Sequence, residues 1–303
     1  MIPAAGWGIM PVVSDQPRDE LQPAAPQPRD PAKTRDAATV VLLRDGPGGL
    51  ETYLVKRSRT VDFMAGAHVF PGGRLDKEAD CSAAACALLS GDSDLSAMPA
   101  RLGEALAPAR AAGLFIAAIR ETFEEAGLLL GALAPGWNTD DARRAAGEGA
   151  LFATLVARLD AAALVPWVRW VTPPISPKRF DARFFLARAP RDQEPRVDGR
   201  EATEGVWIRP ADALRQWAGG AMQLAPATAK SIDMLAGHDD VDAALAAAAT
   251  RTPPVVEPRV WNEAGRAFIS LPGDPRHPLP DVLGGSIRRI QLQAGRYHAV
   301  PAA

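Results

Sequence analysis

The chain reads as a mixed α/β fold, and three features carry that reading. Two short strand-like runs flank a glycine-rich turn, one long segment has a clear helical period, and later strand-like and helix-like segments follow without regular βαβ alternation. The chain has 303 residues, 47% apolar and 23% charged, which excludes wholesale disorder and collagen-like or coiled-coil architecture. Lys and Arg number 34 against 36 Asp and Glu, so no global basic field draws the chain to nucleic acid or an anionic membrane. Two cysteines, Cys81 and Cys86, cannot build a disulfide framework or a four-cysteine zinc module. Apolar runs such as Leu128–Leu130 are far too short to span a bilayer, and no basic segment leads into an apolar one at the start. These features predict a reduced, cytoplasmic setting.

Residues 1–36, rich in Pro, Ala, Gln and Asp, read as a flexible leader, and 37–250 as the main domain. Ala38–Arg44 is a β-branched run closed by Asp45-Gly46-Pro47-Gly48-Gly49, and Glu51–Arg57 alternates apolar and polar residues, which predicts a hairpin. Val69-Phe70-Pro71-Gly72-Gly73 breaks regular structure, since Pro lacks a donor and paired Gly permits unusual backbone angles. Residues 74–112, Ala-rich with scattered charge, are expected to form one or two surface helices as an insertion. Gly113–Gly127 has the clearest helical period. Strands are expected at Trp167–Thr172, Arg183–Ala187 and Gly205–Ile208, and helices at Pro210–Trp217 and Ala225–Gly237. Residues 241–250 fit helix or linker, and 251–303 form a strand-rich C-terminal extension packed on or beside the domain.

On a helical wheel Glu124 and Glu125 fall about 60° and about 40° to either side of Glu121, opposite Phe115, Ile116, Ile119, Thr122, Phe123 and Ala126. A solvated acidic face is the plainest account of such a pattern. Against it, Glu121 and Glu125 are a like-charge i,i+4 pair, and the acids crowd the helix C-terminus, where the macrodipole disfavours them. Arg120 offsets part of this charge; hard divalent cations would offset the rest.

The run Arg120-Glu121-Thr122-Phe123-Glu124-Glu125-Ala126-Gly127-Leu128 resembles the second half of the Nudix box, GX5EX7REUXEEXGU, and Phe70-Pro71-Gly72-Gly73 resembles its first half. Thr122 stands where the pattern has an aliphatic residue. The spacing also departs: 47 positions separate Gly73 from Arg120, an excess of 33, and Ala79, flanked by Glu78 and Asp80, occupies the position of the intermediate Glu. An insertion of this kind resembles the branch related to peroxisomal coenzyme A diphosphatases. The stretch Lys56-Arg57-Ser58-Arg59, with Gly66, is similar to the extra motif of that branch, although Asp62 replaces a second Arg.

The resemblance implies a Nudix-type α/β/α sandwich with a mixed sheet, acting on a nucleoside diphosphate linked to another moiety. It implies Mg²⁺ or Mn²⁺ held by Glu121, Glu124, Glu125 and the carbonyl around Gly73, with Arg120 in the catalytic group. A general base is expected from Glu201, favoured, or Glu204, ahead of Trp207; one of the three helix acids could serve instead, and ordinary loop acids are the plain account of the pair. Substrate contacts are assigned to Arg57, Arg59, His68, Phe70 and Gly72, with strand-end surface charge the competing account of the two arginines. Lys178 and Arg179 are expected as surface charge that could cover the site. Coenzyme A or an acyl-coenzyme A, cleaved to 3′,5′-ADP and a phosphopantetheine, is the expected substrate. ADP-ribose or dinucleotides are the alternatives, and a Nudix-fold nucleotide-binding module without turnover is the alternative of another class. The expected partner is this small molecule, with no nucleic acid and no membrane; a homodimer is left open.

Overall fold

The computed structural model describes residues 33–58, 64–90 and 94–302, so Arg59, Asp62 and nearly all of the leader lie outside the described residues. Strands β1 (Arg35–Gly46) and β2 (Gly49–Arg57) form the predicted antiparallel hairpin. Next come β3 (His68–Val69) and β4 (Gly72–Arg74), paired with β2 and β1 respectively. Helices α1 (Ala83–Cys86) and α2 (Met98–Leu102) lead into the 19-residue α3 (Pro108–Ala126). A small ribbon of β5 (Gly131–Leu133) and β6 (Val156–Leu159) encloses α4 (Thr139–Gly147) and α5 (Phe152–Leu155). Then follow β7 (Val165–Val171), β8 (Phe180–Arg188), β9 (Ala202–Ile208), α6 (Pro210–Ala218), α7 (Pro226–Leu235) and α8 (Val241–Ala249). The chain closes with β10 (Val255–Val256), β11 (Arg259–Glu263), β12 (Arg266–Ser270), β13 (Arg289–Gln293) and β14 (Arg296–Val300).

The central mixed sheet runs β10-β7-β8-β1-β2-β3, with β4 on β1 and β9 on β2. Its middle strands are apolar on both faces because both faces are covered. Along β1, Val40 and Leu42 pack on the α3 side, while Val41 and Leu43 pack against α6, α7 and α8. Phe185 and Phe184 divide in the same way on β8. Two cores thus sandwich one sheet, which is the predicted α/β/α architecture. The second core also takes Ile269 and Ile290 from the C-terminal strands, which form a separate four-stranded sheet, and Leu271, Leu283 and Ile287 from the connection between β12 and β13. Among the described residues, no helix is long and apolar enough to cross a membrane.

Residues 74–112 differ from expectation. The stretch holds short turns of helix instead of surface helices, and Cys86, Leu89, Met98 and Leu102 are buried against α3. Pro99, the left-handed Gly103 and Pro108 keep each turn short, and Pro108 at the first position starts α3 five residues earlier than the apolar period indicated. No element was expected between residues 131 and 159, where the structure has β5, α4, α5 and β6.

Candidate active site

The two separated halves of the motif meet in space. Strand β4 lies antiparallel to β1, Ala38 opposite Gly73 and Thr39 opposite Gly72, which lays the glycine pair beside the C-terminal end of α3. The Gly72 amide donates to Glu125 Oε2 at 3.0 Å, and a Cβ at Gly73 would collide with the Glu121 carboxylate. Only a residue without a side chain permits this approach. Gly127, at φ 70°, ends α3 in the left-handed conformation and turns the chain away just after the acids.

Arg120 joins the pieces. Its guanidinium donates to both Asp80 carboxylate oxygens at 2.9 and 3.0 Å, to Glu121 at 2.8 Å, to Glu124 at 3.1 Å and to the Arg74 carbonyl at 3.0 Å. Burial works against its charge, but these acids outweigh burial and hold the guanidinium above its ordinary pKa. Asp80, itself buried, stands one position beyond Ala79 and supplies the acid that reaches Arg120. In the sequence, its only signal was that proximity.

The three helix carboxylates do not share one solvated face. Glu125 is buried, and desolvation, reinforced by the charge of Glu121, pushes its carboxyl up to about 8; the Gly72 amide and Arg57 oppose the rise. Burial, partly offset by Arg120, pushes Glu121 up to about 7, and Glu124 is raised in the same direction by burial. The cluster therefore holds more carboxylate than its cations balance. Among the described residues, no three acid, histidine or cysteine groups form a ready-made metal cage. The oxygen donors present are nevertheless the kind a hard divalent cation takes, and uncompensated buried charge is what such an ion relieves.

Glu121, Glu124, Glu125, Gly72, Gly73, Phe70, Arg57 and Glu201 all line one pocket of about 490 Å³. Its other side is apolar and includes Trp170, Phe184, Pro226 and Ile269. Glu201 is exposed on the loop before β9. That loop is fixed by Asp198, whose carboxylate accepts from the amides of Arg200, Glu201 and Ala202, and by the Ser58 amide, which donates to the Glu201 carbonyl at 2.8 Å. Pairing of β2 with β9 slips between Lys56 and Arg57, the kind of irregularity that re-aims side chains at a site.

Arg120 lies behind this lining, and Glu204 and His68 stand apart from it. Glu204 pairs with Lys56 at 2.8 Å on exposed strand surface, and that hydrogen bond holds its carboxyl below the ordinary value. His68 sits on β3 opposite Lys56, its Nδ1 3.4 Å from the Gln223 carbonyl, and burial lowers its pKa. Glu201 precedes β9 and Glu204 lies within it, and the slip in pairing between them lets the two acids part company. Asp198, Trp170 and the apolar wall were not anticipated: Asp198 acts within its own turn, on the amides two to four residues ahead, while the wall is assembled from segments far apart in sequence.

A paired strand carrying two glycines, set against a helix carrying Arg120 and three acids across a mixed sheet, is the Nudix arrangement. The sequence model of the NUDT19 Nudix domain matches residues 34–235, more than half of the chain, and the chain belongs to that family. Acyl-coenzyme A diphosphatase NUDT19 of Gallus gallus is 31% identical over 252 residues, covering 63% of this chain. The chain spans 65% of that relative's length. The crystal structure of a NUDIX hydrolase from Alicyclobacillus acidocaldarius matches with a TM-score of 0.55 and 28% identity, over 71% of this chain and 96% of the other.

Proposed function

We propose that the chain hydrolyses the diphosphate of coenzyme A or an acyl-coenzyme A in a reaction that depends on Mg²⁺ or Mn²⁺. Water adds at one phosphorus and the P–O–P bridge breaks, leaving 3′,5′-ADP and a (acyl-)phosphopantetheine. The observation that carries the reading is the convergence of Glu121, Glu124, Glu125, Glu201 and Arg57 on one pocket at the Gly72–Gly73 bend.

Glu121, Glu124 and Glu125, with the Gly73 carbonyl, would hold the cations. Bound there, the ions neutralise diphosphate charge and acidify a water. Arg57, at the end of β2, is placed to grip a phosphate in the bidentate manner that guanidinium geometry favours. Glu201 is the group assigned to take the proton of the attacking water; Glu204, engaged with Lys56, is not. Arg120 acts as a positioning residue, because its hydrogen bonds fix Glu121 and Glu124 relative to Asp80 and the Arg74 carbonyl. The likeness to an acyl-coenzyme A diphosphatase supports coenzyme A over other diphosphates.

The test is product analysis with coenzyme A, an acyl-coenzyme A, ADP-ribose and dinucleotides at equal concentration, with Mg²⁺ or Mn²⁺ and with chelator. Coenzyme A or its acyl ester should be cleaved fastest, and only with metal. Faster cleavage of ADP-ribose removes the substrate assignment; nucleotide binding without turnover removes the enzyme.

A further inference from the structure

A second, larger cavity of about 1170 Å³ opens on the far side of the carboxylates, sharing Arg74, Glu121 and Glu124 with the apolar pocket. Its character is opposite. Lys33, Arg35, Lys77 and Lys178 line it and do not line the apolar pocket. Sheet register gathers them at one end: Arg35 lies opposite Phe180, and Ala37 lies opposite Arg74. Most acids of this wall are already engaged. Asp36 binds Arg110 at 2.6 Å and Arg183 at 2.9 Å, Asp181 binds Arg169 at 2.6 Å, and the Asp76 carboxylate accepts from the amides of Glu78 and Ala79. Among the described residues no acid pairs with Lys33, Arg35, Arg74 or Lys77, and these four cations outnumber the exposed Asp76 and Glu78.

An excess of exposed cations on a concave wall concentrates anions. A diphosphate held by Gly72, Arg57, Glu125 and Glu201, which line only the other pocket, would meet this cavity at the shared Glu121 and Glu124 and leave Lys33, Arg35 and Lys77 beyond it. We propose that the cationic cavity is an anion subsite that takes a phosphomonoester of the substrate remote from the bond being cleaved. Resting on the coenzyme A reading, that group is the 3′-phosphate, and the pantetheine half then lies toward Trp170 and Ile269.

The experiment compares coenzyme A with 3′-dephospho-coenzyme A in the full-length protein and in an Arg35→Ala/Lys77→Ala double variant, both side chains being exposed. The wild type should prefer coenzyme A about tenfold in kcat/KM, mainly through KM, and the double variant should reduce that preference to about twofold or less. Rising salt should erode the wild-type preference in the same way. A wild-type preference near unity, or a double variant that slows both substrates alike, overturns the subsite while leaving the diphosphatase standing. If neither compound is cleaved, the proposed function fails, and calorimetry on the same proteins decides the subsite. Tighter binding of 3′,5′-ADP than of 5′-AMP, lost in the double variant, supports it. Equal binding of the two overturns it.

Discussion

Single atoms decide whether this site can assemble. Gly73 has no room for a Cβ beside the Glu121 carboxylate, so Gly73→Ala should displace that carboxylate and cut kcat by about 100-fold. Far-ultraviolet circular dichroism should stay unchanged, because the bend itself survives. Glu201→Gln removes a proton acceptor without changing shape. A fall in kcat of about 10²–10⁴-fold with KM nearly constant is expected. A variant as active as wild type would move the base to one of the helix acids. Arg57→Ala, in contrast, should raise KM. Much of this was legible from residue order: the glycine pair, the Arg-Glu run and Arg57 were each visible as local signals. Asp80 was visible only as a neighbour of Ala79, and Asp198 not at all, because a carboxylate that caps the amides two to four residues ahead of it in one turn leaves no periodic trace.

At the level of elements, α3 and α7 show how burial and charge are reconciled. Helix α7 carries Lys230 and Asp233, both buried, with Nζ 2.8 Å from Asp233 Oδ2 and 2.5 Å from the Gly284 carbonyl. Asp233 also accepts from Ser286 and Ile287 amides at 2.9 Å. Burial alone would raise this carboxyl; the Lys230 hydrogen bond and the two amides bring it below its ordinary 3.8. A depressed carboxyl contributes stability that is present above its unfolded value and lost as pH falls through the folded one. Acid unfolding should therefore steepen below about pH 4, and Asp233→Asn should flatten that limb of the Tm-against-pH curve. Removing the partner outright is harsher: Asp233→Ala leaves Lys230 buried and unpaired, a loss of about 3–5 kcal/mol by denaturant titration. The period of α3 was read correctly over its apolar arc, yet Glu125 turned out buried. A helical wheel cannot know that the Gly72 amide waits on the neighbouring strand.

For the whole molecule, the C-terminal strands are part of the structure that the site depends on. They lie beyond residues 34–235 matched by the family, but Ile269 lines the apolar pocket and Ile287 and Ile290 sit in the core beneath α7. A chain ending after residue 250 should lose cooperative thermal unfolding, because it exposes that core and strips the amides from Asp233. Cation binding should be visible on the same scale. Excess Mg²⁺ should raise Tm by a few degrees, roughly 2.7 kcal/mol at a hundredfold excess over the dissociation constant, and Glu121→Gln/Glu125→Gln should abolish the rise. The sandwich was legible only through the family resemblance; the near-continuous apolar runs of β1 and β8 are what cover on both faces requires. The cover itself was less so: the segment at 74–112 looked like surface helix because its alanines suit exposure and burial equally.

The long excursion between Gly73 and Arg120 has a consequence for how the site comes into being. Closing a loop of 47 residues in place of 14 costs only about 1 kcal/mol more chain entropy. Asp80 and the apolar side chains of the excursion, clasped to α3, offset that easily. New chain can thus be threaded through the middle of such a site, provided the returning helix is tied back to the point of departure, and here the pairing of Asp80 with Arg120 is part of that tie.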